Sequence, residues 1–480
     1  MYLMIGQVVF VLSGYATNIV LSRMLGVEQY GIFGVVMSVL VWVELGVIVG
    51  IPTALQKFIA ENHQHAYTLR RIGFGIQLKY SLAVFLLFFA SAGLLANALN
   101  DHELAFYLRV ASVNIVIYAL YRFFLGVHNG LKNFGKQTIA SIIYAVGKLA
   151  AIVALIWQGA AVAGALMGNA LGSALGLCAA IMMKPNLERV TQAFDKSKII
   201  RYAVPIILFT LLVNLFLAVD LWFVKAFLDS TAAGYYVAAS TVARVPYFLF
   251  LALCFTLLPS LARALKHDLQ QAKSLVWQST RILLVCLALI VILVMASAPT
   301  LMDLLFTELY APAIPVLQIL IWGLSFLTFF SVFATMLNVD DRPASAFWIS
   351  SIVVALNLAL NLWAVPAYGI TGAAWATTAS TFIGMIWSGV VVYRKFNLRL
   401  DVRSIFRVAV AAGVAFLLGA QVANTAAMLL LKYVVITSAY AGMLYLIGEI
   451  RAQEVSRLAQ SLFSHGKEKT TDRSVSQLTL

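Results

Sequence analysis

Five ionisable residues lie deep inside long apolar stretches of the sequence: Glu44, Arg109, Lys148, Asp220 and Arg244. A charge in the hydrocarbon core of a membrane costs several kcal/mol, so each needs an oppositely charged partner or a hydrated cavity. One interpretation is that these residues pair as buried salt bridges that fix helix packing. The other is a net cationic cavity, in which the three cations bind an anionic substrate and the arginine forks suit phosphate.

The acidic and amide residues leave further alternatives open. Glu44 and Asp220 are candidates for ion pairing, for coupling to a proton or Na⁺, or for a structural role. Asn357 and Asn361 lie one helical turn apart, so they share a face that packs against another helix or lines the cavity. Pro246 lies two residues after the last cation and removes a helical hydrogen bond, which indicates either a midplane binding site or a simple kink.

The sequence offers no carrier for catalysis or for nucleotide binding. Gly130, Gly135 and Lys136 match the start of a Walker A motif, but Gln137 replaces the required Ser or Thr. The three cysteines lie in apolar stretches, and the six histidines form no metal-ligand spacing. We therefore predict a protein that is not an enzyme and holds no metal or organic cofactor, with a proton or Na⁺ as the candidate coupling ion.

The composition requires a membrane. Of the 480 residues, 62% are hydrophobic and 11% are charged, and the mean hydropathy is +0.94. Soluble domains contain about 45–50% apolar and about 25% charged residues. A chain this apolar cannot cover its surface with polar groups in water. It is predicted to be an all-α polytopic membrane protein rather than a soluble enzyme or a disordered chain.

Fourteen segments have the length of roughly 20 mostly apolar residues that one membrane-spanning helix needs. They lie near 2–22, 31–54, 75–98, 104–124, 137–158, 160–183, 203–228, 233–259, 279–298, 312–337, 344–365, 370–393, 404–422 and 428–448. Within them, Glu44, Lys148 and Arg244 fall near the middle, whereas Arg109 and Asp220 fall toward the outer ends.

The charged loops predict the orientation. The chain carries 33 Lys and Arg against 19 Asp and Glu, a net charge of +14. Twenty-five of these cations lie in alternate loops and in the tail, and a single one, Arg23, lies in the intervening loops. Because cytoplasmic loops are the ones enriched in Lys and Arg, both termini are predicted to be cytoplasmic. The excess charge therefore sets topology and does not indicate nucleic-acid binding.

Small residues recur at four-residue spacing in two segments, which suggests an internal repeat. The stripes are Gly164, Gly168, Gly172 and Gly176 on the sixth segment, and Gly372, Ala376, Ser380 and Gly384 on the twelfth. Such a stripe lets a neighbouring helix backbone approach closely. Gly31 and Gly234 are further landmarks that correspond, as are Pro52 and Pro259. Chance similarity between Gly- and Ala-rich helices is the alternative.

A repeat of six segments gives both halves the same orientation, because six is an even number. The predicted organisation is an N-terminal six-helix bundle, a cytoplasmic linker, a C-terminal six-helix bundle, two additional membrane helices and a cytoplasmic tail. The corresponding residue ranges are 1–183, 184–202, 203–393, 404–448 and 449–480.

Several stretches resemble a known family of membrane proteins, the polysaccharide-biosynthesis flippases of the multidrug/oligosaccharidyl-lipid/polysaccharide exporter superfamily. The order and spacing of these stretches carry the resemblance more than any one of them does. They are residues 21–31, 50–55, 58–61, 219–220, 233–236, 305–313, 357–361 and 368–374.

The resemblance implies two six-helix bundles around a cavity that opens alternately to each side. It implies transport of a lipid-linked oligosaccharide, on a polyprenyl pyrophosphate carrier, from the inner to the outer leaflet of a bacterial inner membrane. Arg109, Lys148 and Arg244 fit the family's substrate-binding cations by their depth, with Asn357 and Asn361 as further lining candidates. The implied partners are the glycan substrate, membrane lipids and, functionally, glycosyltransferases and a polymerase.

Two alternatives remain open from the sequence. One is a cation-coupled multidrug exporter of the same superfamily. A cationic cavity argues against cationic drugs as its substrates. The other is a membrane-embedded glycan polymerase or ligase, although the chain lacks a large external loop with a catalytic acid or histidine.

Overall fold

The computed structural model describes residues 2–183, 194–247, 260–265, 268–339, 343–398 and 401–449, and this part of the chain is helical, with short 3₁₀ turns and no strand. We number its longer helices in chain order. Their bounds are α1 Tyr2–Ile48, α2 Gly50–Glu61, α3 Ala66–Ala98, α4 Leu104–Gly130, α5 Phe134–Trp157, α6 Ala161–Met182, α7 Lys196–Phe227, α8 Ser230–Ala243, α9 Leu269–Leu305, α10 Ile314–Val339, α11 Pro343–Lys395, α12 Val402–Ala420 and α13 Leu429–Leu446.

The predicted all-α polytopic fold is confirmed. Within the described residues, 10 helices are long and apolar enough to cross a membrane, or 11 if the bent α7 counts as one span. Two of the 10, covering Ile5–Glu61 and Ser345–Lys395, each contain two of the predicted segments. The predicted segment 233–259 lies partly outside the described residues, so the exact number of fourteen stays a prediction.

Glycines mark the kinks at which α1 and α11 are each interrupted between two predicted segments. Gly26 lies inside α1 with φ 76°, and Gly369 lies inside α11 with φ 62°. Both values fall in the left-handed region that residues with a side chain avoid. The backbone is not helical at these residues, so α1 and α11 each consist of two helices joined by a sharp kink at a glycine.

Aspartates begin three of the helices. Asp195, Asp229 and Asp401 each accept a hydrogen bond from a backbone amide in the first turn of α7, α8 and α12, at 2.9, 2.6 and 3.1 Å. A side-chain oxygen at this position satisfies one of the amides that have no partner within the helix. The starts of these helices are therefore encoded locally.

The chain divides into two compact units. The first consists of Met1–Leu258 and Leu301–Val392, and the second of Pro259–Thr300 and Tyr393–Leu480. The predicted division into a linker, two six-helix bundles, two further helices and a tail stays a prediction. The residues discussed as a candidate site all belong to the first unit.

The second unit has its own core and its own buried charge cluster. Apolar residues of α9, α12 and α13 form the core, including Ile292, Ala411 and Ile436. Glu449, which the polar tail was expected to include, is buried and lies 2.9 Å from Arg281 Nε and 3.5 Å from Arg407 Nη1. This carboxylate joins α9, α12 and the end of the α13 region.

The glycine stripe on α6 packs against α5, as the spacing predicts. A Cβ on Gly168 would lie 2.7 Å from the Ile152 backbone, and one on Gly176 would lie 2.8 Å from the Tyr144 Cβ. The second stripe packs the latter part of α11 against its first part, since a Cβ on Gly384 would lie 3.2 Å from Val353. The α6 stripe therefore brings two consecutive membrane segments into backbone contact, and the α11 stripe lets a side chain of the preceding segment pack against the helix backbone.

Candidate functional site

Glu44 lies in the second part of α1 and is buried, with 4% of its surface exposed. Asn114 on α4 donates a hydrogen bond of 2.6 Å from its Nδ2 to Glu44 Oε1. The Lys148 ammonium on α5 interacts electrostatically with this carboxylate. Among the described residues, no carboxylate oxygen lies within 4.0 Å of that ammonium. Glu44 and Lys148 are therefore neighbours without a direct ion pair.

The glycine stripe positions Lys148. A side-chain carbon on Gly172 would overlap the Cβ of Lys148 and lie 2.6 Å from its Cα, so α6 meets α5 directly at this residue. Three tyrosines of α4 and α5 stack beside it. The ring of Tyr144 lies 5.6 Å from that of Tyr118 and 5.1 Å from that of Tyr121, and Lys148 Nζ lies 6.0 Å from the Tyr144 centroid.

Asp220 on α7 is the second buried carboxylate, with 5% of its surface exposed. Three neutral groups donate hydrogen bonds to it. The Tyr236 hydroxyl on α8 lies 2.9 Å from Oδ2, Asn361 Nδ2 on α11 lies 2.9 Å from Oδ1, and the Thr377 hydroxyl on α11 also binds Oδ2. The carboxylate of α7 is thus held by hydroxyl and amide donors from two other helices, α8 and α11.

Asn357 and Asn361 are both fully buried and share one network. Asn361 Nδ2 lies 2.9 Å from the Asn357 carbonyl oxygen. Asn357 Nδ2 lies 3.3 Å from Thr377 Oγ1 and 3.2 Å from Ser380 Oγ. Asn361 Oδ1 is buried and has no hydrogen-bond partner among the described residues. The structure therefore brings together Asp220, Asn357 and Asn361, and leaves one buried amide oxygen without a donor.

Arg244 follows directly after the end of α8 at Ala243, at the helix break that the nearby proline predicts. Its Nη2 donates a hydrogen bond of 2.7 Å to the Leu217 carbonyl oxygen of α7. The guanidinium also interacts electrostatically with Asp220, and it lies near the neutral side chains of Tyr236 on α8 and of Tyr15 and Tyr30 on α1. Arg244 therefore lies where α1, α7 and α8 meet.

Arg109 is not brought to the other candidate residues. It is exposed on α4, and its guanidinium carbon lies 5.7 Å from the centroid of the Phe89 ring on α3. Within the described part of the chain, Arg109 has no hydrogen bond, ion pair or ring contact with any of the six other predicted site residues.

α1 and α8 cross at two glycines. A Cβ on Gly31 would overlap the Ser230 carbonyl oxygen and lie 2.7 Å from the Gly234 nitrogen, and one on Gly234 would overlap the Val27 carbonyl oxygen. These glycines are the corresponding landmarks of the predicted repeat. Two corresponding residues of a repeat contact each other only near the axis that relates the two copies. For the predicted repeat, this axis would pass between Gly31 and Gly234.

Further contacts hold α1 at this end of the protein. The Tyr310 hydroxyl donates a hydrogen bond of 3.1 Å to the Ser22 carbonyl oxygen. Arg23 binds the carbonyl oxygens of Leu304 and, at 3.2 Å, Leu305. These are the loops that carry few cations, so the end that is predicted to face outward is closed by contacts between α1 and the second half of the chain.

α1 and α2 also pack along α7. The Trp42 and Trp222 rings lie 5.8 Å apart at 90°, and Trp222 Nε1 donates a hydrogen bond of 2.9 Å to Ser38 Oγ. Nearer the cationic loops, a Cβ on Gly50 would lie 2.5 Å from the Ile207 side chain. The helices are therefore in contact toward both ends.

Sequence reasoning missed the neutral donors Asn114, Tyr236 and Thr377. Charge in an apolar stretch marks a residue by itself, whereas a lone hydroxyl or amide in such a stretch is common. Thr377 follows Ala376 of the small-residue stripe, and Tyr236 lies in a stretch that carries the family resemblance. Those two signals could have identified them.

Comparison with known proteins gives a family and a relative. Residues 1–265, more than half of the chain, match the model of a family described as "Polysaccharide biosynthesis protein". The succinoglycan biosynthesis transport protein ExoT of Rhizobium meliloti is 25% identical over 399 residues, which is 79% of this chain and 76% of that protein. An uncharacterized membrane protein of Methanocaldococcus jannaschii is 38% identical over 96 residues, and the match spans 19% of its length.

Two solved structures share the fold. A structure of the lipid II flippase MurJ in an inward closed conformation aligns with a TM-score of 0.76 at 14% identity, covering 92% of this chain and 97% of that one. An inward-facing multidrug resistance MATE family transporter of the MOP superfamily aligns with a TM-score of 0.67 at 15% identity, covering 80% and 94%. The similarity to both is one of fold.

The hydroxyl of Thr377 is predicted to stabilise the buried Asp220. Replacing Thr377 with Val keeps the shape but removes a donor to a buried carboxylate, which costs about 1–3 kcal/mol. We expect a lower midpoint of thermal unfolding in detergent. Thr381→Val is the matched control, because the Thr381 hydroxyl is buried one turn later and its described hydrogen bonds go to its own helix. Equal midpoints for the two variants would contradict the assigned role.

Proposed function

Since the chain belongs to the polysaccharide biosynthesis protein family, we propose that it is a flippase for a lipid-linked oligosaccharide, carried on a polyprenyl pyrophosphate. The observation that carries this proposal is the pair of membrane-embedded cations, Lys148 and Arg244, placed next to α1 from opposite halves of the chain. The relative named for succinoglycan transport supports a glycan cargo over a drug. The same relative is named as a transport protein, which favours transport over glycan polymerisation or ligation.

A diphosphate with attached sugars cannot cross hydrocarbon unaided, because burial of unpaired charge is prohibitive. Lys148 has no carboxylate within ion-pair distance among the described residues. One donor of Arg244 binds the Leu217 carbonyl oxygen, and the planar fork retains further donors that suit phosphate oxygens. Together these two side chains supply the positive charge that the pyrophosphate requires. Arg109 is not part of the proposed binding site, because it is exposed on α4.

We assign ion coupling to Asp220. Hard cations such as Na⁺ prefer oxygen ligands, and the network offers the Asp220 carboxylate, the Thr377 hydroxyl and the unpartnered Asn361 Oδ1. An Asn side chain exchanges its oxygen and nitrogen by a rotation of its amide, so Asn361 can turn a donor into a ligand. Asn357 holds this amide in place. Glu44 has one described donor and is the alternative coupling residue.

The proposed direction is from the cytoplasmic to the outer leaflet of a bacterial inner membrane, with both termini in the cytoplasm. The orientation rests on the cations concentrated in alternate loops. Transport then requires that α1 separate from α7 and α8 at one end at a time. Glycosyltransferases would supply the cargo on the cytoplasmic side, and a polymerase would use it outside.

Removal of either of the two half-buried cations is predicted to stop transport. We expect Lys148→Gln and Arg244→Gln to lower surface polysaccharide at least tenfold, because a hydrogen bond to a charged group is worth about 1.5–3 kcal/mol. Arg109→Gln is the matched control and is expected to behave as wild type. The measurement is surface polysaccharide together with the leaflet in which the lipid-linked precursor accumulates, at equal protein levels in the membrane.

The leaflet distinguishes the alternatives. Precursor trapped in the inner leaflet of the Lys148 and Arg244 variants is the expected result. Normal polysaccharide in both variants would contradict the proposed binding site. Short, unpolymerised glycan on the outer face would favour a polymerase or ligase, and altered drug sensitivity with normal glycan would favour an exporter of drugs.

A side chain at the glycine crossing is predicted to prevent closure of that end. The added side chain of Gly31→Val or Gly234→Val would overlap the facing backbone and force α1 and α8 apart. Overpacking of this kind costs about 1–3 kcal/mol. We expect loss of surface polysaccharide and faster labelling of a cysteine introduced at Ser22 from the outer side. Gly14→Val, also on α1, is the control because a Cβ there meets no atom within 4 Å. Unchanged labelling of the Gly31 and Gly234 variants would refute a closing role.

Asp220→Asn is predicted to uncouple transport from an ion gradient. We expect transport in membrane vesicles to fall about tenfold and to lose its response to an ionophore that collapses the coupling gradient, because a neutral amide cannot balance a cation. Glu44→Gln provides the comparison at the other buried carboxylate. If Asp220→Asn keeps the wild-type ionophore response and Glu44→Gln loses it, coupling belongs to Glu44.

A further inference from the structure

A cleft of about 310 Å³ lies between α3 and α4, at the end of these helices that carries the cationic loops. Its lining consists of two cations and three aromatic rings: Tyr67, Arg70, Arg71, Phe74 and Phe124. These residues are separate from the two buried polar networks and from the proposed substrate-binding cations. The proposed transport site therefore does not account for the charge and shape of this cleft.

The two arginines give the cleft a positive charge. Arg70 is half-buried, with its guanidinium carbon 5.7 Å from the centroid of the Phe124 ring, and Arg71 is exposed. Within the described part of the chain, no carboxylate lies within 4.0 Å of either side chain. Both arginines line the cleft, and each guanidinium offers the forked donors that bind phosphate in a bidentate manner.

An apolar track continues from the cleft along α3. Phe74 contributes to the floor, and its ring lies 5.9 Å from that of Phe123 on α4. Leu78, Leu82 and Leu86 follow at four-residue spacing, and all four α3 residues of this track are exposed. Residues four apart lie on the same face of a helix, so the track runs from the arginines toward the membrane centre.

We propose that this cleft is a specific site for an anionic phospholipid, with the phosphate at Arg70 and Arg71 and an acyl chain along Phe74, Leu78 and Leu82. Charge complementarity selects an anionic headgroup, and the track of exposed apolar residues fits an acyl chain. The cleft is too small for a diphosphate with an oligosaccharide and opens on the exposed side of α3. The bound lipid is thus a resident of the membrane and not the transported molecule.

The test measures lipid retention by the full-length protein. Purified protein in detergent is mixed with phosphatidylglycerol or phosphatidylcholine, and bound lipid is counted by native mass spectrometry. We expect phosphatidylglycerol to be retained preferentially, and Arg70→Gln/Arg71→Gln to weaken its binding about tenfold. The control is Lys196→Gln/Arg201→Gln, which removes the same charge from exposed positions at the start of α7 and is expected to bind as wild type.

Three results would overturn the proposal. They are equal retention of the two lipids, equal loss of phosphatidylglycerol in the control, and displacement of the lipid from this cleft by undecaprenyl pyrophosphate. The last result would assign the cleft to the transported lipid. Arg71→Gln alone is a second variant, because this side chain is exposed and its replacement does not threaten folding. A partial loss of phosphatidylglycerol binding in this variant supports the site, and wild-type binding in both Arg variants refutes it.

Discussion

Close packing of helices at positions without large side chains determines where the charged residues of this protein lie. In a bilayer, apolar surface gains little by leaving lipid, so helices associate through close backbone approach and through hydrogen bonds. Gly172 lets α6 meet α5 at Lys148, and Ser380 occupies the equivalent place in the second stripe, where it contacts Asn357. The predicted repeat pairs α5 and α6 with the two parts of α11, and these two helix pairs carry a cation in the first half of the chain and an amide in the second.

The crossing of Gly31 and Gly234 applies the same constraint between the halves. Because the two backbones touch there, α1 and α8 can separate only as whole helices and not by movement of a side chain. Arg244 lies at the other end of α8, against α7 and near the tyrosines of α1. A separation of α1 from α8 therefore changes the surroundings of Arg244 directly. This connects the proposed binding cation to the helices that must move.

The sequence predicts well how deep in the membrane a residue lies, and it predicts poorly which side of its helix the residue occupies. The apolar pattern gives the helices, and it identifies Glu44, Lys148, Asp220 and Arg244 as membrane-embedded charges that the structure places near one another in pairs. Arg109 has the same pattern, yet it is exposed, because hydropathy records how far along a helix a residue lies and not which neighbour its face meets.

Neutral hydrogen-bond donors are equally hard to identify from a sequence, because the carboxylate that they bind comes from a distant segment of the chain. Asp220 and Thr377 are far apart in the chain and are joined only by the packing of α7 against α11. The pair of asparagines one turn apart was visible, because two amides on one face of an apolar helix are rare. Gly26 and Gly369 interrupt α1 and α11 with non-helical backbone between the predicted segments, a break that the loss of the apolar pattern does indicate.

The two buried carboxylates differ in a way that bears on mechanism. Burial of a carboxylate requires compensation, and Asp220 obtains it from three neutral hydrogen bonds, whereas Glu44 has one from Asn114 and a lysine nearby. An arginine bound directly to Asp220 would hold its negative charge in one fixed geometry. Hydroxyl and amide side chains can instead rotate, so that they donate a hydrogen bond to the carboxylate in one orientation and offer an oxygen ligand to a cation in another. The same residues can therefore stabilise the carboxylate with or without a bound cation. Glu44 lies near the ammonium of Lys148, whose positive charge offsets the negative charge of the carboxylate and makes it a poorer ligand for a further cation. Asp220 is therefore the carboxylate better suited to the proposed coupling cation, whereas the proposed cargo-binding cations, Lys148 and Arg244, come from both halves of the chain.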